Sequence, residues 1–214
     1  MADDAARTDP HAVADPAALA AIYAAPSPLA AAKTLDRLDK WCRRFLELSP
    51  FVTLASSDAE GRTDVGPRGD KPGFVRVLDD RTIAIPDRPG NNRIDSLRNI
   101  VANPEVATLF LIPGIDETLR INGRARLSRD PALLEAMAVD GKPAKLAIVI
   151  EIREAFLHCA KAFKRSRLWD PAALAPKGTL PTIARMIADQ KNLDDDLVKA
   201  ADARAEIAYR EGLW

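Results

Sequence analysis

Apolar positions in the first quarter of the chain recur at helical intervals. From Leu29 to Leu48 they fall three or four residues apart, which predicts one amphipathic helix. The helix should end at Ser49-Pro50, because proline disfavours a helical conformation in the residue before it. Residues 1–27 are rich in Ala, Asp and Pro, so we expect a loose N-terminal extension with a short helix over 16–23.

The middle of the chain changes to a strand pattern. Alternating and β-branched stretches, separated by short turns, predict seven strands. They cover residues 51–56, 62–66, 74–78, 81–85, 106–112, 117–128 and 146–157, with helices inserted at 94–102 and 131–139. Since strands and helices do not alternate regularly, a parallel doubly wound sheet is not expected. An antiparallel sheet closed into a barrel accounts best for the pattern.

The last part of the chain returns to a helical pattern. A proline-containing linker, 170–181, precedes two predicted helices over 182–189 and 194–209. The sequence therefore predicts three parts: an N-terminal extension over 1–27, a barrel domain over 28–170 and a C-terminal helical extension over 171–214.

Composition narrows the class of protein without naming a function. Of 214 residues 47% are apolar, and 31 basic residues balance 31 acidic ones, so no overall charge favours nucleic acid or a membrane surface. The acidic start lacks an apolar signal core, and no apolar run is long enough to span a bilayer, so we expect a cytoplasmic protein. Cys42 and Cys159 form no metal-binding pair, and two histidines make a histidine metal centre improbable.

The segment from Ile85 to Asn99 is the strongest candidate for ligand binding. A predicted strand stops at Pro86, a Pro/Gly/Asn turn follows, and a short helix begins with Asn92 as its expected N-cap. Arg88 and Arg93 then crowd a helix start, where the helix dipole favours an anion over a cation. Either a phosphate lies there to pair with them, or the segment is a polar loop with surface arginines.

Two further clusters stand out. Residues 64–73 hold three glycines and two prolines, which predicts a break in the strand where backbone approaches a ligand or forms a wide loop. Residues 158–169 hold four basic side chains near a tryptophan, and helical spacing would align Lys161 with Arg165, and Ser166 with Trp169. That combination suits a flat anionic ligand, or else a solvated basic helix with one core tryptophan. The chain shows no dinucleotide, nucleotide, serine-hydrolase or zinc-protease motif, so catalysis would need a cofactor.

Together these clusters resemble the FMN-binding split-barrel superfamily of pyridoxamine 5'-phosphate oxidase-like proteins, nearest to a bacterial branch of FMN-dependent enzymes of unknown substrate. The resemblance covers about residues 34–170 and rests on several motifs in one order. They are Asp64-Val-Gly-Pro-Arg-Gly-Asp70, Ile85-Pro-Asp-Arg-Pro-Gly-Asn-Asn-Arg93 with Asp95-Ser-Leu-Arg-Asn99, Phe110-Leu-Ile-Pro-Gly114, Glu117-Thr-Leu-Arg-Ile-Asn-Gly123 and His158 through Trp169.

The resemblance implies a six- to seven-stranded antiparallel Greek-key split barrel, a homodimer and FMN bound at the dimer interface. The FMN-contacting residues that it implies are Arg68, Gly69, Asp70, Pro86, Asp87, Arg88, Asn91, Asn92, Arg93, Thr118, Lys161, Arg165, Ser166 and Trp169.

Their roles follow the family pattern. Asn92 and Arg93 would bind the FMN phosphate, with Arg88 or Arg98 assisting. The segments 68–70 and 86–87 would wall the ribityl chain and the isoalloxazine edge, and Thr118 would bring a polar group to the flavin. Residues 161–169 would come from the partner subunit.

The functional hypothesis is an FMN-dependent oxidoreductase acting on an unidentified small molecule, with flavin carrying the electrons. We find no counterpart of the family's C-terminal substrate-binding segment, so pyridoxal-forming activity is not expected. The alternatives are a non-catalytic FMN-binding, sensor or electron-relay protein, a purely structural dimer, or a binder of deazaflavin F420 or haem. Haem would require His158 as its axial ligand.

Overall fold

The computed structural model describes residues 11–13 and 15–214, and the chain falls into two units, up to Thr34 and from Leu35 onward. The first unit contains α1 (Pro16–Ile22) and α2 (Pro28–Ala32), each begun by a side chain that accepts a backbone N–H bond. The short helix expected over 16–23 is confirmed, while part of the predicted extension lies outside the described residues.

The single helix predicted from Leu29 to Leu48 is wrong. Helix α2 ends at Ala32, and a separate helix, α3 (Lys40–Leu48), begins after Asp39, whose carboxylate accepts two backbone N–H bonds. Between them Leu35 forms a β-bridge with Ala155, the two backbones exchanging hydrogen bonds of 2.9 and 2.8 Å. Leu35 fits the helical spacing, but pairing with a distant strand replaces the helix there.

The second unit is built on one seven-stranded antiparallel sheet in the order β2-β1-β5-β6-β7-β4-β3. The strands are β1 (Phe51–Ser57), β2 (Thr63–Gly69), β3 (Arg76–Val77), β4 (Thr82–Pro86), β5 (Glu105–Leu111), β6 (Thr118–Ser128) and β7 (Ala147–His158). The seven predicted strands and the antiparallel split-barrel fold are therefore confirmed, and β2 and β3 form the two edges.

Strand β2 does not break where the sequence predicts. It continues through Gly66 and Pro67 to Gly69, with Pro67 opposite Thr53 of β1. Proline is tolerated because β2 is an edge strand, where a missing N–H can face away from the sheet. The extension places Arg68 on a regular strand.

The hydrophobic core lies between the sheet and two helices. Apolar side chains of β1 and β4–β7 pack against α3 and α4, and the largest fully buried ones include Leu54, Ile83, Ile85, Phe110, Leu119, Ile121, Ile148 and Ile150. A bulge between Asn122 and Gly123 bends β6. A Cβ atom at Gly123 would overlap the carbonyl oxygen of Glu151, so only glycine fits this close approach of β6 and β7.

Five further helices belong to the second unit. They are α4 (Asp95–Ala102), α5 (Pro131–Ala136), α6 (Lys161–Ser166), α7 (Ile183–Lys191) and α8 (Asp195–Glu211), with a 3-10 turn at Pro171–Ala173. Helix α4 lies against β1, and the amides of Asn99 and Asn103 donate to Ser56 and Ser57 at 3.1 and 2.8 Å. Within the described part of the chain, every helix is too short or too polar to cross a bilayer.

Candidate functional site

A cavity of about 670 Å³ opens between β2, the segment after β4 and the start of α4. It is lined by residues 64–69, 86–97 and 145–146. Eight of the predicted site residues meet here: Arg68, Gly69, Pro86, Asp87, Arg88, Asn91, Asn92 and Arg93. The fold thus joins two of the three clusters that the sequence singles out, although they are separate in the chain.

The start of α4 differs from the prediction. Helix α4 begins at Asp95, so Asn92 is not its N-cap and Arg93 precedes the helix. Ile94 occupies the N-cap position with φ 54°, two residues after Asn92 with φ 58°, and no side chain caps the helix. These left-handed conformations delay the helix, because asparagine tolerates them and a β-branched residue is held in one only by its surroundings.

The first-turn N–H groups of α4 therefore lack a side-chain cap at the cavity wall. Arg93 stands beside them with 74% of its side chain exposed. Its Nε donates to Asp95 Oδ2 at 2.7 Å, and its backbone N–H donates to Asn91 Oδ1 at 3.1 Å. An exposed pair of this kind is weak, so the guanidinium can turn to another anion at small cost.

Arg68 is held at two points of the cavity wall. Its Nη2 donates to the buried Ser96 Oγ at 2.6 Å and its Nη1 donates to Pro67 O at 2.8 Å. Its buried Nε meets no acceptor among the described residues. The contact with Ser96 fixes β2 to the first turn of α4 across the cavity wall.

Asp87 is the half-buried acid of the cavity. Burial raises the pKa of its carboxyl, and the nearby charges of Arg68 and Lys145 oppose that rise only in part. Its backbone N–H donates to Leu146 O at 2.9 Å, which fixes the chain after β4. The raised pKa favours the protonated carboxyl, which can donate a hydrogen bond as well as accept one.

Asp70 does not line the cavity, and its side chain is 1% exposed. Its Oδ2 accepts from Arg88 Nε at 2.6 Å, while Oδ1 accepts from Lys71 N at 2.7 Å and from Trp214 Nε1 at 2.9 Å. Arg88, 13% exposed, also donates to Met137 O at 2.8 Å. Asp70 thus supports the cavity wall from behind through Arg88, which lines the cavity. Arg98, the other assisting arginine, is exposed on α4 and outside the lining.

The third cluster lies apart from this cavity. Helix α6 ends at Ser166, and Arg167 takes φ 52°, so Trp169 does not lie on the helix as the spacing predicts. Trp169 Nε1 donates to Ile115 O at 2.9 Å, and its ring packs on Phe163 at 5.8 Å.

The remaining predicted residues also lie apart from the cavity. Thr118 is buried at the start of β6 opposite His158, and neither it nor Lys161, Arg165 or Ser166 lines the cavity of its own chain. Their predicted contact with a ligand bound to a partner subunit stays a prediction.

Sequence reasoning missed three groups at the site. Ser96 is part of a quoted motif, but only the structure shows that it receives Arg68. Lys145 and Leu146 line the cavity just before β7, and no local pattern marks them. Trp214 reaches Asp70 across 144 positions of sequence, and its only sequence signal is a large aromatic residue in a polar segment.

Fold and cavity together define an antiparallel split-barrel protein with an arginine-rich cleft beside a helix start. The family model described as pyridoxamine 5'-phosphate oxidase matches residues 38–159, more than half of the chain. The chain belongs to this family. None of the curated proteins is detectably similar to it in sequence.

Several solved structures resemble the barrel. HupZ of Group A Streptococcus is 22% identical, with a TM-score of 0.45, over 56% of this chain and 93% of that one. An FMN-binding protein from Syntrophomonas wolfei is 13% identical, with a TM-score of 0.42, over 55% and 88%. General Stress Protein 26 from Bacillus anthracis is 12% identical, with a TM-score of 0.42, over 53% and 88%.

Proposed function

We propose that the cavity binds FMN and that the protein is an FMN-dependent oxidoreductase acting on a small molecule still to be identified. The observation that carries this proposal is the meeting of Arg68, Arg88 and Arg93 at one cavity beside an uncapped helix start. Helix starts and arginines both favour the binding of phosphate groups. Membership of the pyridoxamine 5'-phosphate oxidase family supports the same ligand.

The size of the cavity supports a ligand of the FMN class. Its volume of about 670 Å³ lies within the usual 300–1,000 Å³ of small-molecule sites. A phosphate would be held by Arg93, Asn92 and the first N–H groups of α4. The polar chain and ring edge of the ligand would then face Arg68 and Asp87.

The chain's own residues supply orientation and charge. Arg68, held by Ser96, presents a fixed positive charge, and Asp87 offers a carboxyl that can exchange a hydrogen bond within the cavity. FMN, when bound, supplies the electron transfer that these side chains cannot perform alone. The substrate space would be the part of the cavity that the flavin leaves open.

A homodimer would complete the site. Helix α6 is tied to the loop after β5 by the ion pair of Lys164 with Asp116 at 2.5 Å and by the bond from Trp169 to Ile115. This cluster is therefore a fixed surface feature away from its own cavity, as expected if it serves the cavity of a second copy. Sedimentation should give a dimer, and a monomer that binds FMN tightly would contradict this part of the proposal.

One set of measurements tests the function. The purified protein should show the visible bands of oxidised flavin, or gain them on incubation with FMN, and should bind FMN more tightly than riboflavin. Oxidation of NADH or NADPH by the loaded protein would favour an enzyme, whereas tight binding without turnover would favour a sensor or electron carrier. Bands of deazaflavin or haem, or failure to bind FMN, would overturn the proposal.

A further inference from the structure

The C-terminal segment reaches the wall of the cavity through one side chain. Trp214 follows α8, and its indole Nε1 donates to Asp70 Oδ1 at 2.9 Å. Lys71 Nζ lies 5.3 Å from the centre of the indole ring, a cation–π distance, and Lys142 Nζ donates to the backbone oxygen of Trp214 at 3.2 Å. Three separate contacts thus hold this residue in place.

The carboxylate that receives Trp214 also holds the cavity loop. Asp70 Oδ2 accepts from Arg88 Nε at 2.6 Å, and Arg88 belongs to the 86–97 segment that lines the cavity. Burial alone would raise the pKa of Asp70, but the hydrogen bonds from Lys71 N, Trp214 and Arg88 outweigh it and lower the pKa. A buried carboxylate with a full set of donors has a fixed orientation, and without the indole N–H only Lys71 N holds Oδ1, so that orientation is less firmly fixed.

We propose that Trp214 is a positioning residue for the cavity: its indole N–H fixes Asp70, Asp70 fixes Arg88, and Arg88 fixes the loop over residues 87–94. The consequence for FMN rests on the proposed function, whereas the effect on the loop does not. Trp214 does not line the cavity, so its effect on the cavity runs through this relay.

The test is Trp214→Phe, which keeps a ring under Lys71 and removes only the N–H donor. Trp41→Phe is the matched control: Lys40 Nζ lies 5.1 Å from the Trp41 ring, and no hydrogen bond of its indole occurs among the described residues. Hydrogen–deuterium exchange without flavin should quicken in peptides covering 86–94 of Trp214→Phe, but not in β5 or in Trp41→Phe. Unchanged exchange in 86–94 would overturn the proposal, as would equal quickening in β5, which would indicate general destabilisation.

A titration then measures the effect on the ligand. The FMN dissociation constant of Trp214→Phe should rise roughly 2- to 30-fold, the range for residues that act on a site indirectly. Trp41→Phe should bind FMN like the unaltered protein. Quickened exchange with unaltered FMN affinity would overturn the link from Trp214 to the ligand. Failure of the unaltered protein to bind FMN would refute the proposed function and leave the exchange result to decide the relay.

Discussion

Arg93 offers the sharpest test of where the phosphate binds. Substitution of Arg93 and substitution of its partner Asp95 should change FMN affinity in opposite directions. The guanidinium is largely exposed and pairs with Asp95. A hydrogen bond from an arginine to a phosphate contributes about 10- to 150-fold in affinity. To bind the phosphate, Arg93 must leave Asp95. Loss of that exposed ion pair reduces the gain in affinity by about 1.4- to 5-fold. Arg93→Ala should therefore weaken FMN binding by about 2- to 100-fold.

The partner variant should act in the opposite direction. Asp95→Asn frees Arg93 and removes a negative charge beside the phosphate position, so FMN should bind about 1.4- to 5-fold more tightly. Arg44→Ala is the control, since Arg44 also makes an exposed ion pair, with Glu47 at 2.9 Å, away from the cavity. Fluorescence titrations with FMN and riboflavin measure all three variants. Losses of equal size for the two ligands, or no loss in Arg93→Ala, would refute a phosphate site at Arg93.

Three further outcomes follow from the burial of single groups. Ionising Asp87 opposes folding, because its pKa in the folded protein lies above the unfolded value of 3.8. The contribution of Asp87 to stability therefore falls as pH rises through that interval. The melting temperature of Asp87→Asn, relative to that of the unaltered protein, should be higher at about pH 8 than at about pH 4. An equal difference at both pH values would contradict this. Gly123→Ala should lower the free energy of unfolding by about 1–3 kcal/mol or more in urea, because the new methyl group meets Glu151 O; an unchanged midpoint would show that the bulge tolerates a side chain. Burial raises the pKa of Cys42 to about 11, so a thiol reagent at about pH 8 should label only the exposed Cys159 in the folded protein and both residues after unfolding.

The regular strands could be predicted from sequence because alternation of apolar residues reports which face is buried. The same logic failed at Leu35, whose spacing fits a helix but whose backbone pairs with Ala155. It failed again at Pro67, because a proline argues against a strand unless the strand is known to lie at an edge. Both errors come from partners distant in the chain, which a local pattern does not contain.

The candidate site was predictable to the extent that its chemistry is local. The arginines of the two loops lie in short glycine- and proline-rich segments, which made them visible one segment at a time. The sequence could not show that Arg93 is exposed and weakly paired while Arg88 is buried in an ion pair, because Arg88 depends on Asp70 and, through it, on Trp214. The N-cap of α4 was misplaced by two residues for a different reason: an asparagine suits both an N-cap and a left-handed turn.

Ile94 carries a consequence for protein engineering. An isoleucine in the left-handed region costs about 1–2 kcal/mol relative to a glycine, which adopts the same angles freely. A library selected only for heat resistance should therefore be enriched in Ile94→Gly. That exchange would also give the segment before α4 more conformations, so the same library screened for retention of a bound ligand should discard it. If the two selections rank Ile94→Gly in opposite order, then the rigid isoleucine improves ligand binding and lowers the stability of the fold.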